Sequence, residues 1–354
     1  MAESSPGRDD PGWLRERTGI GAWLDRARKL QVPGGIRSWA AHVGGVAILL
    51  LVVQTLTGIL LLVHYRAGDG AWASVARITS QIPFGWLVRG THSIASHLLV
   101  LLVLAHLLSS FASRAFRRPR ELTWMTGVAL LACVLGLGLS GTVLVGDQRA
   151  LFTARVALHM TRALPWVGSF LAGLLGGGPD VGTETGQRML AVHAGALPLA
   201  LLCLAAMHLW LVRTHGLCAP ARPRANPIPW YPDFLSREAT LWVVASILLV
   251  AAAALWPPEV GRSADPLEPT PHGIRPAWFF LPLYQLLRML PPMVAVVRGE
   301  QVAWIAVLLV AAGVLTLPLW EDGERRWAKR VADLLAWILL PLLLGLGLWG
   351  WTSS

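Results

Sequence analysis

The sequence predicts an all-α, polytopic membrane protein: a four-helix bundle followed by three further transmembrane helices. Three observations predict it. Of 354 residues, 55% are hydrophobic and 14% charged, with a mean hydropathy of +0.55. Seven apolar runs approach or exceed the roughly 20 residues that a helix needs to cross a hydrocarbon core. Four histidines fall inside two of these runs at helical spacing, His92 and His106 in one, His193 and His208 in the other.

In order, the spans are A at 39–64, B at 90–112, C at 122–143, D at 189–213, E at 238–256, F at 301–320 and G at 328–350. Residues 1–38 are charged and lack the apolar run of a cleavable signal peptide; they read as a cytoplasmic segment. Residues 39–216 form the four-helix core and 217–237, with prolines at 220, 223, 227, 229 and 232, a linker. Residues 238–354 form the three-helix part. Lys and Arg number 19 on the amino-terminal side of this topology and 11 on the other. The positive-inside bias puts the amino terminus in the cytoplasm and the carboxyl terminus outside a bacterial-type inner membrane. Eighteen tryptophans against three tyrosines, many near span ends, suit interfacial anchoring.

The formal charge of +10 reflects loop orientation in so apolar a chain and does not indicate nucleic acid. Cys133, Cys203 and Cys218 show neither metal-ligand nor disulfide spacing, and the first two lie in apolar runs where packing is their expected role. The spans hold few acidic residues, which speaks against a channel or transporter.

At about 100° per residue, the 14 steps from His92 to His106 end roughly 40° off the starting direction and about 21 Å along the axis. The 15 steps from His193 to His208 end about 60° off on the other side. Each helix therefore offers two imidazoles on roughly one face, one toward each side of the membrane. Opposed imidazoles are suitable axial ligands for haem iron. Two flat cofactors stacked across the bilayer would make an electron path. Glycines repeat the same period: Gly44 and Gly58 on span A, Gly127 and Gly141 on span C. Glycine lets a backbone approach a neighbouring surface, so A and C are expected against the edges of the same two macrocycles. Arg89, three residues before His92, is placed for a haem propionate or for the interface. His97 points about 140° from His92 and reads as packed or hydrogen-bonded. Pro198 should kink span D or free a carbonyl.

The stretches FGWLVRGTH (84–92), RPRELTWMTG (118–127), DQ (147–148), LPWVGS (164–169), AVHAGALPLALLCLAAMHLWLVRTHG (191–216) and RPAWFFLPLYQLLRMLP (275–291) carry a resemblance, together with the glycines and QTLTG of 44–58. The chain resembles cytochrome b of the bc-type quinol:cytochrome oxidoreductases, most of all the plastoquinol type with its two polypeptides fused. The resemblance implies that His92 with His193 holds an outer b-type haem and His106 with His208 an inner one. It implies an outer quinone pocket around Pro276, Ala277, Trp278 and Phe279, and an inner one with Arg213 and Glu238 at matching polar positions. It also implies partners: iron-sulfur or cytochrome c subunits, and a homodimer or larger complex.

Three departures qualify the likeness. The family's outer motif is Pro-Glu-Trp-Tyr; here alanine replaces the proton-accepting glutamate and phenylalanine the tyrosine. Quinol oxidation releases two protons and needs a base within reach. Either His159 or His272 substitutes, or the outer pocket no longer oxidises quinol. His42 stands where chloroplast-like relatives carry a cysteine for a covalent extra haem, so no such third haem is expected. His42 either acts at the inner pocket or belongs to the interface. Ser109 replaces an arginine near the inner propionate, leaving Arg114, Arg117, Arg118 and Arg120 as substitutes. The expected function is electron transfer between quinone pockets within a quinol:acceptor oxidoreductase. The rivals are a redox subunit without bifurcated quinol oxidation and a structural anchor of a respiratory assembly.

Overall fold

In lipid every backbone polar group must find its partner within the protein, so an apolar run folds as a helix. The computed structural model describes residues 17, 21, 25, 28–32, 38–216, 227–269 and 275–353. Most of the amino-terminal segment, residues 217–226 of the expected linker, Cys218 and His272 lie outside the described residues.

The helices are α1 (Ser38–Leu62), α2 (Ala71–Ser80), α3 (Gly85–Ala112), α4 (Glu121–Val143), α5 (Gln148–Ala163), α6 (Gly168–Gly176) and α7 (Thr183–His215). They continue with α8 (Leu235–Leu255), α9 (Leu281–Met289), α10 (Gly299–Leu315), α11 (Leu317–Trp320) and α12 (Arg326–Thr352). Two short antiparallel ribbons pair Gln31–Val32 with Ile228–Pro229, and Met293–Val294 with Val297–Arg298.

Among the described residues, six helical segments are long and apolar enough to cross a membrane: those containing α1, α3, α4, α7, α8 and α12. The expected span F differs. It divides at Thr316 into α10, of 17 residues, and the short α11, which carries Pro318 in its first turn. At 1.5 Å per residue α10 is about 26 Å long, near the lower limit for a crossing.

The connecting segments gather in two groups, as an alternating up-and-down topology requires. On one side Arg114 pairs with Asp333, Arg117 with Glu321, and His42 with Glu238. On the other, Trp72 donates to the Gly261 carbonyl at 2.7 Å and Arg89 to that of Pro258. There also the Asp265 N–H donates to Gln148 Oε1 at 2.7 Å. Asp147 caps α5 by accepting from the Ala150 N–H at 2.8 Å, satisfying one of the free donors of its first turn.

The central core is made by Ala47, Leu50, Ala95, Leu99, Val100, Val134, Leu201 and Leu249. These residues lie on α1, α3, α4 and α7 between the two histidine levels, joined by Leu249 of α8. Cys133 packs against this core, as expected, whereas Cys203 is exposed with its neighbours Leu199 and Leu202 on an outward face of α7. A second cluster of Phe116, Trp124, Leu317 and Ala332 joins the four-helix part to the last helices. Trp124 donates across that junction to the Val314 carbonyl, and Trp304 to that of Met160, both at 2.7 Å.

Candidate functional site: imidazoles against glycines

Each of the four histidines faces one of the four glycines. A Cβ on Gly58 would stand 3.3 Å from His92 Cε1, and one on Gly141 would stand 2.9 Å from His193 Cε1. Gly44 and Gly127 repeat the relation, at 3.3 Å from Cε1 of His106 and of His208. A larger side chain at any of the four would push its imidazole aside. The glycine spacing is thus tied to the histidine spacing, helix by helix: α1 lies against the imidazoles of α3, and α4 against those of α7.

His92 and His193 face one another with ring centres 6.3 Å apart and planes inclined by 69°. Two metal–imidazole bonds of about 2 Å each, with a ring centre roughly 1 Å behind each nitrogen, span a gap of this size. The donor pair therefore fits a six-coordinate iron held by opposed imidazoles. His106 and His208 lie within electrostatic reach of each other about 21 Å further along the helices.

The residue preceding each glycine matters too, and sequence reasoning passed over it. Thr57 Oγ1 is 2.9 Å from His92 Nδ1, Thr126 Oγ1 3.0 Å from His208 Nδ1, and Ser140 Oγ 3.0 Å from His193 Nδ1. Each hydroxyl donates its own proton to a helix carbonyl: Thr57 to Val53 at 2.6 Å, Thr126 to Thr123 at 2.9 Å, Ser140 to Gly136 at 2.8 Å. The oxygen is left to accept, so the imidazole must carry its proton on Nδ1. Nε2 is then free to bind a metal. The signal was the dipeptide Thr-Gly or Ser-Gly recurring at 57–58, 126–127 and 140–141.

The 15-residue spacing on α7 has a backbone feature of its own. A regular helix would leave His208 about 60° off the direction of His193. Residues Val192–Ala196 instead form a π-helical turn, in which the Leu197 N–H donates to the Val192 carbonyl five residues back. The wider turn absorbs one residue, so 15 positions on α7 act like the 14 of α3. Pro198 is the local cause: it has no N–H to donate, and its ring crowds the carbonyl four residues earlier.

At the α1 and α8 ends, His42 and Glu238 form a buried pair, 3% and 7% exposed. His42 stacks on Phe234 at 4.2 Å, and Trp242 Nε1 donates to Glu238 Oε1 at 2.8 Å. Arg213 is exposed near the end of α7, with no bond to that pair. At the opposite end Arg89 donates to Pro258 and keeps a buried Nε without a partner among the described residues, as an anionic group beside it would need. Of the four arginines expected to stand in beside Ser109, Arg117 is bound to Glu321, Arg120 donates to the His215 carbonyl, and Arg118 is exposed. Arg114 pairs with Asp333 but retains a buried Nη1 without a partner among the described residues.

Trp278 and Phe279 form a single 3-10 turn with Phe280 leading into α9. Phe279 wedges against Gly138 of α4, where a Cβ would stand 2.9 Å from its ring, and lies 6.1 Å from His97. His97 is exposed on α3, and its ring approaches the 276–279 segment in a contact that no local pattern reveals. His159 is largely exposed on α5, with Nε2 2.6 Å from Glu300 Oε1.

Fold and site together define a multi-pass helical membrane protein whose bundle presents paired imidazoles at two depths. The family description "Cytochrome b(N-terminal)/b6/petB" matches residues 97–263, and "Cytochrome b(C-terminal)/b6/petD" matches 263–354. The chain belongs to the cytochrome b family, whose membership implies haem b and quinone binding. It is 35% identical over 284 residues to the "Cytochrome bc complex cytochrome b subunit" of Chlorobaculum thiosulfatiphilum, covering 78% of this chain and 66% of that one. It is 37% identical over 217 residues to the "Menaquinol:cytochrome c reductase cytochrome b subunit" of Bacillus subtilis, covering 59% of this chain and 96% of that one. "Cytochrome b6" of Prochlorococcus marinus is 32% identical over its full length and 62% of this chain. A chain of the solved "Hyperthermophilic respiratory Complex III" superposes with a TM-score of 0.82 over 96% of this chain and 91% of its own. At 22% identity that likeness shows the fold.

Proposed function

We propose that this chain is the dihaem cytochrome b subunit of a quinol-oxidising membrane complex and moves electrons across the bilayer between two quinone pockets. The observation that carries this reading is the fourfold match of glycine to imidazole. His92 and His193 hold one b-type haem nearer the outside, and His106 and His208 a second nearer the cytoplasm. Bound haem supplies reversible one-electron storage at each level. The imidazoles fix its orientation, and Gly58, Gly141, Gly44 and Gly127 let α1 and α4 approach its edges. Thr57, Thr126 and Ser140 hold three ligands in the tautomer that frees Nε2. Arg89 would offer its unmatched Nε to a propionate. A covalent third haem is not part of this reading, because His42 offers no thioether.

The inner quinone pocket is assigned to the buried His42–Glu238 pair with Arg213 at its edge, and the outer one to Pro276, Ala277, Trp278 and Phe279. In this reading the amino terminus is cytoplasmic and the carboxyl terminus external, and 39–216 and 238–354 are the two working parts. Iron-sulfur or cytochrome c subunits complete the complex around a dimer. The names of the Chlorobaculum and Bacillus relatives support such a setting and make menaquinol the first quinol to test.

Ala277 and Phe279 favour a second reading, since neither accepts a proton: the chain connects the quinone pool to a partner redox protein without splitting the two electrons of quinol. Haem content with a redox titration of the purified complex tests the core claim. Two b-type haems per chain with separate midpoints are expected, and replacing one ligand should abolish one centre only. Absence of bis-imidazole low-spin spectra overturns the proposal.

A further inference from the structure

Three of the four imidazoles have a hydroxyl on Nδ1; the fourth does not. His106 Nδ1 is buried and has no hydrogen-bond partner among the described residues. The local geometry is otherwise the same. Gly44 stands 3.3 Å from His106 Cε1 and 3.6 Å from its Nδ1, against 3.3 and 3.9 Å for Gly58 and His92. What differs is the preceding residue: Thr57 before Gly58, Thr126 before Gly127, Ser140 before Gly141, but Val43 before Gly44. Valine and threonine share a shape and differ by one oxygen. That oxygen is the acceptor His106 lacks.

We propose that Val43 tunes the inner centre by withholding a hydroxyl from His106, so that one axial imidazole of the inner pair, and neither of the outer pair, goes without a hydrogen bond. This inference rests on the dihaem reading. A hydrogen bond from Nδ1–H to an oxygen shifts electron density toward Nε2 and raises ligand basicity. A more basic ligand stabilises the oxidised metal and lowers the reduction potential. Hydrogen bonding of this kind is among the levers a protein has over a haem. With two hydroxyls on the outer pair and one on the inner, residues 43, 57, 126 and 140 bias an electron toward the inner centre. Val43 acts through His106, so it is a positioning residue and touches no substrate.

The test is a redox titration of both haems in the intact complex, wild type against Val43→Thr, with the low-spin electron paramagnetic resonance signals recorded in parallel. The inner midpoint should fall and the outer stay. A change on the order of tenfold in the oxidised-to-reduced ratio, within the range for such outer partners, corresponds to about 59 mV for one electron. Val43→Ala, which trims the side chain without adding an oxygen, should leave both midpoints in place. Thr126→Val should raise the inner midpoint and Ser140→Ala the outer, so the idea remains testable if Val43→Thr does not assemble. An unchanged inner midpoint in Val43→Thr with both haems retained overturns it, as does an unchanged midpoint in Thr126→Val. A wild-type complex without two b-type centres overturns the dihaem reading instead.

Discussion

Gly45 and Glu238 share one volume: the Glu238 carboxylate fills the space that a Cβ at position 45 would need. The glycine on α1 thereby admits a carboxylate from α8 to His42, in a site closed by Phe234 and Trp242. Breaking a buried pair by removing one partner costs about 3–5 kcal/mol. Gly45→Ala, His42→Ala and Glu238→Ala should therefore each lower the thermal stability of the detergent-solubilised protein. A His42→Leu, Glu238→Met double variant should recover most of the loss. If the double variant is as unstable as the singles added together, the pair is not the coupled unit the contacts describe.

The glycines make a sharper prediction because they address the centres separately. Gly141 leaves least room, its Cβ position being 2.9 Å from His193. Gly58→Val and Gly141→Val should each remove the outer b haem and spare the inner one. Gly44→Val and Gly127→Val should do the reverse. Pyridine haemochrome content should fall from two to one in every case, and the surviving midpoint should tell which centre remains.

Much of this arrangement was legible in the sequence because helical periodicity is a local property. The spacing of His92 and His106, and of Gly44, Gly58, Gly127 and Gly141, carried the bundle and its two levels. Pro198 announced a disturbance of α7, but only the backbone shows that a π turn at Val192–Ala196 makes the 15-residue spacing act like the 14 of α3. The hydroxyls of Thr57, Thr126 and Ser140 were in plain view as a repeated dipeptide. Their role depends on which way an imidazole on another helix is turned, and no single-helix pattern contains that. The same holds for His97 against Phe279, and for Arg89 reaching Pro258, residues brought together only by packing.

Glu321 is fully buried and accepts from Arg117 Nη2 at 2.6 Å and Nε at 3.0 Å, across the junction between the α3–α4 loop and the segment after α11. Those hydrogen bonds push the Arg117 guanidinium above its ordinary pKa, so it stays charged at any working pH. Gly323, at a φ of +94° and with Arg117 3.1 Å from its Cβ position, leaves the guanidinium its room. Arg117→Ala leaves a buried carboxylate unmatched and should cost about 3–5 kcal/mol. Arg117→Lys keeps the charge but not the planar two-donor fit, and should fall between wild type and alanine. Thermal unfolding in detergent, followed by loss of the near-ultraviolet tryptophan signal, measures both.

The outer pocket is where chemistry and sequence disagree, and one residue decides between the two readings of function. Quinol gives up two protons as it is oxidised, and a well-placed base contributes about 10²–10⁴-fold to such a transfer. Ala277 and Phe279 have nothing to offer. His272 lies outside the described residues. His159 is open to solvent and carries a carboxylate partner, Glu300, 2.6 Å from its Nε2. An imidazole held by a carboxylate and open to solvent has a route by which to pass a proton on to water. If the pocket oxidises quinol, His159→Ala should slow menaquinol-driven haem reduction by at least about tenfold. Glu300→Gln should slow it less, and Ala277→Glu should restore rate in the His159→Ala background. Stopped-flow reduction with an outer-pocket inhibitor as control separates this from entry of electrons at the inner side. An unchanged rate in His159→Ala removes His159 from the role. An unchanged rate together with insensitivity to the inhibitor favours the reading in which this chain wires the quinone pool to a partner without bifurcation.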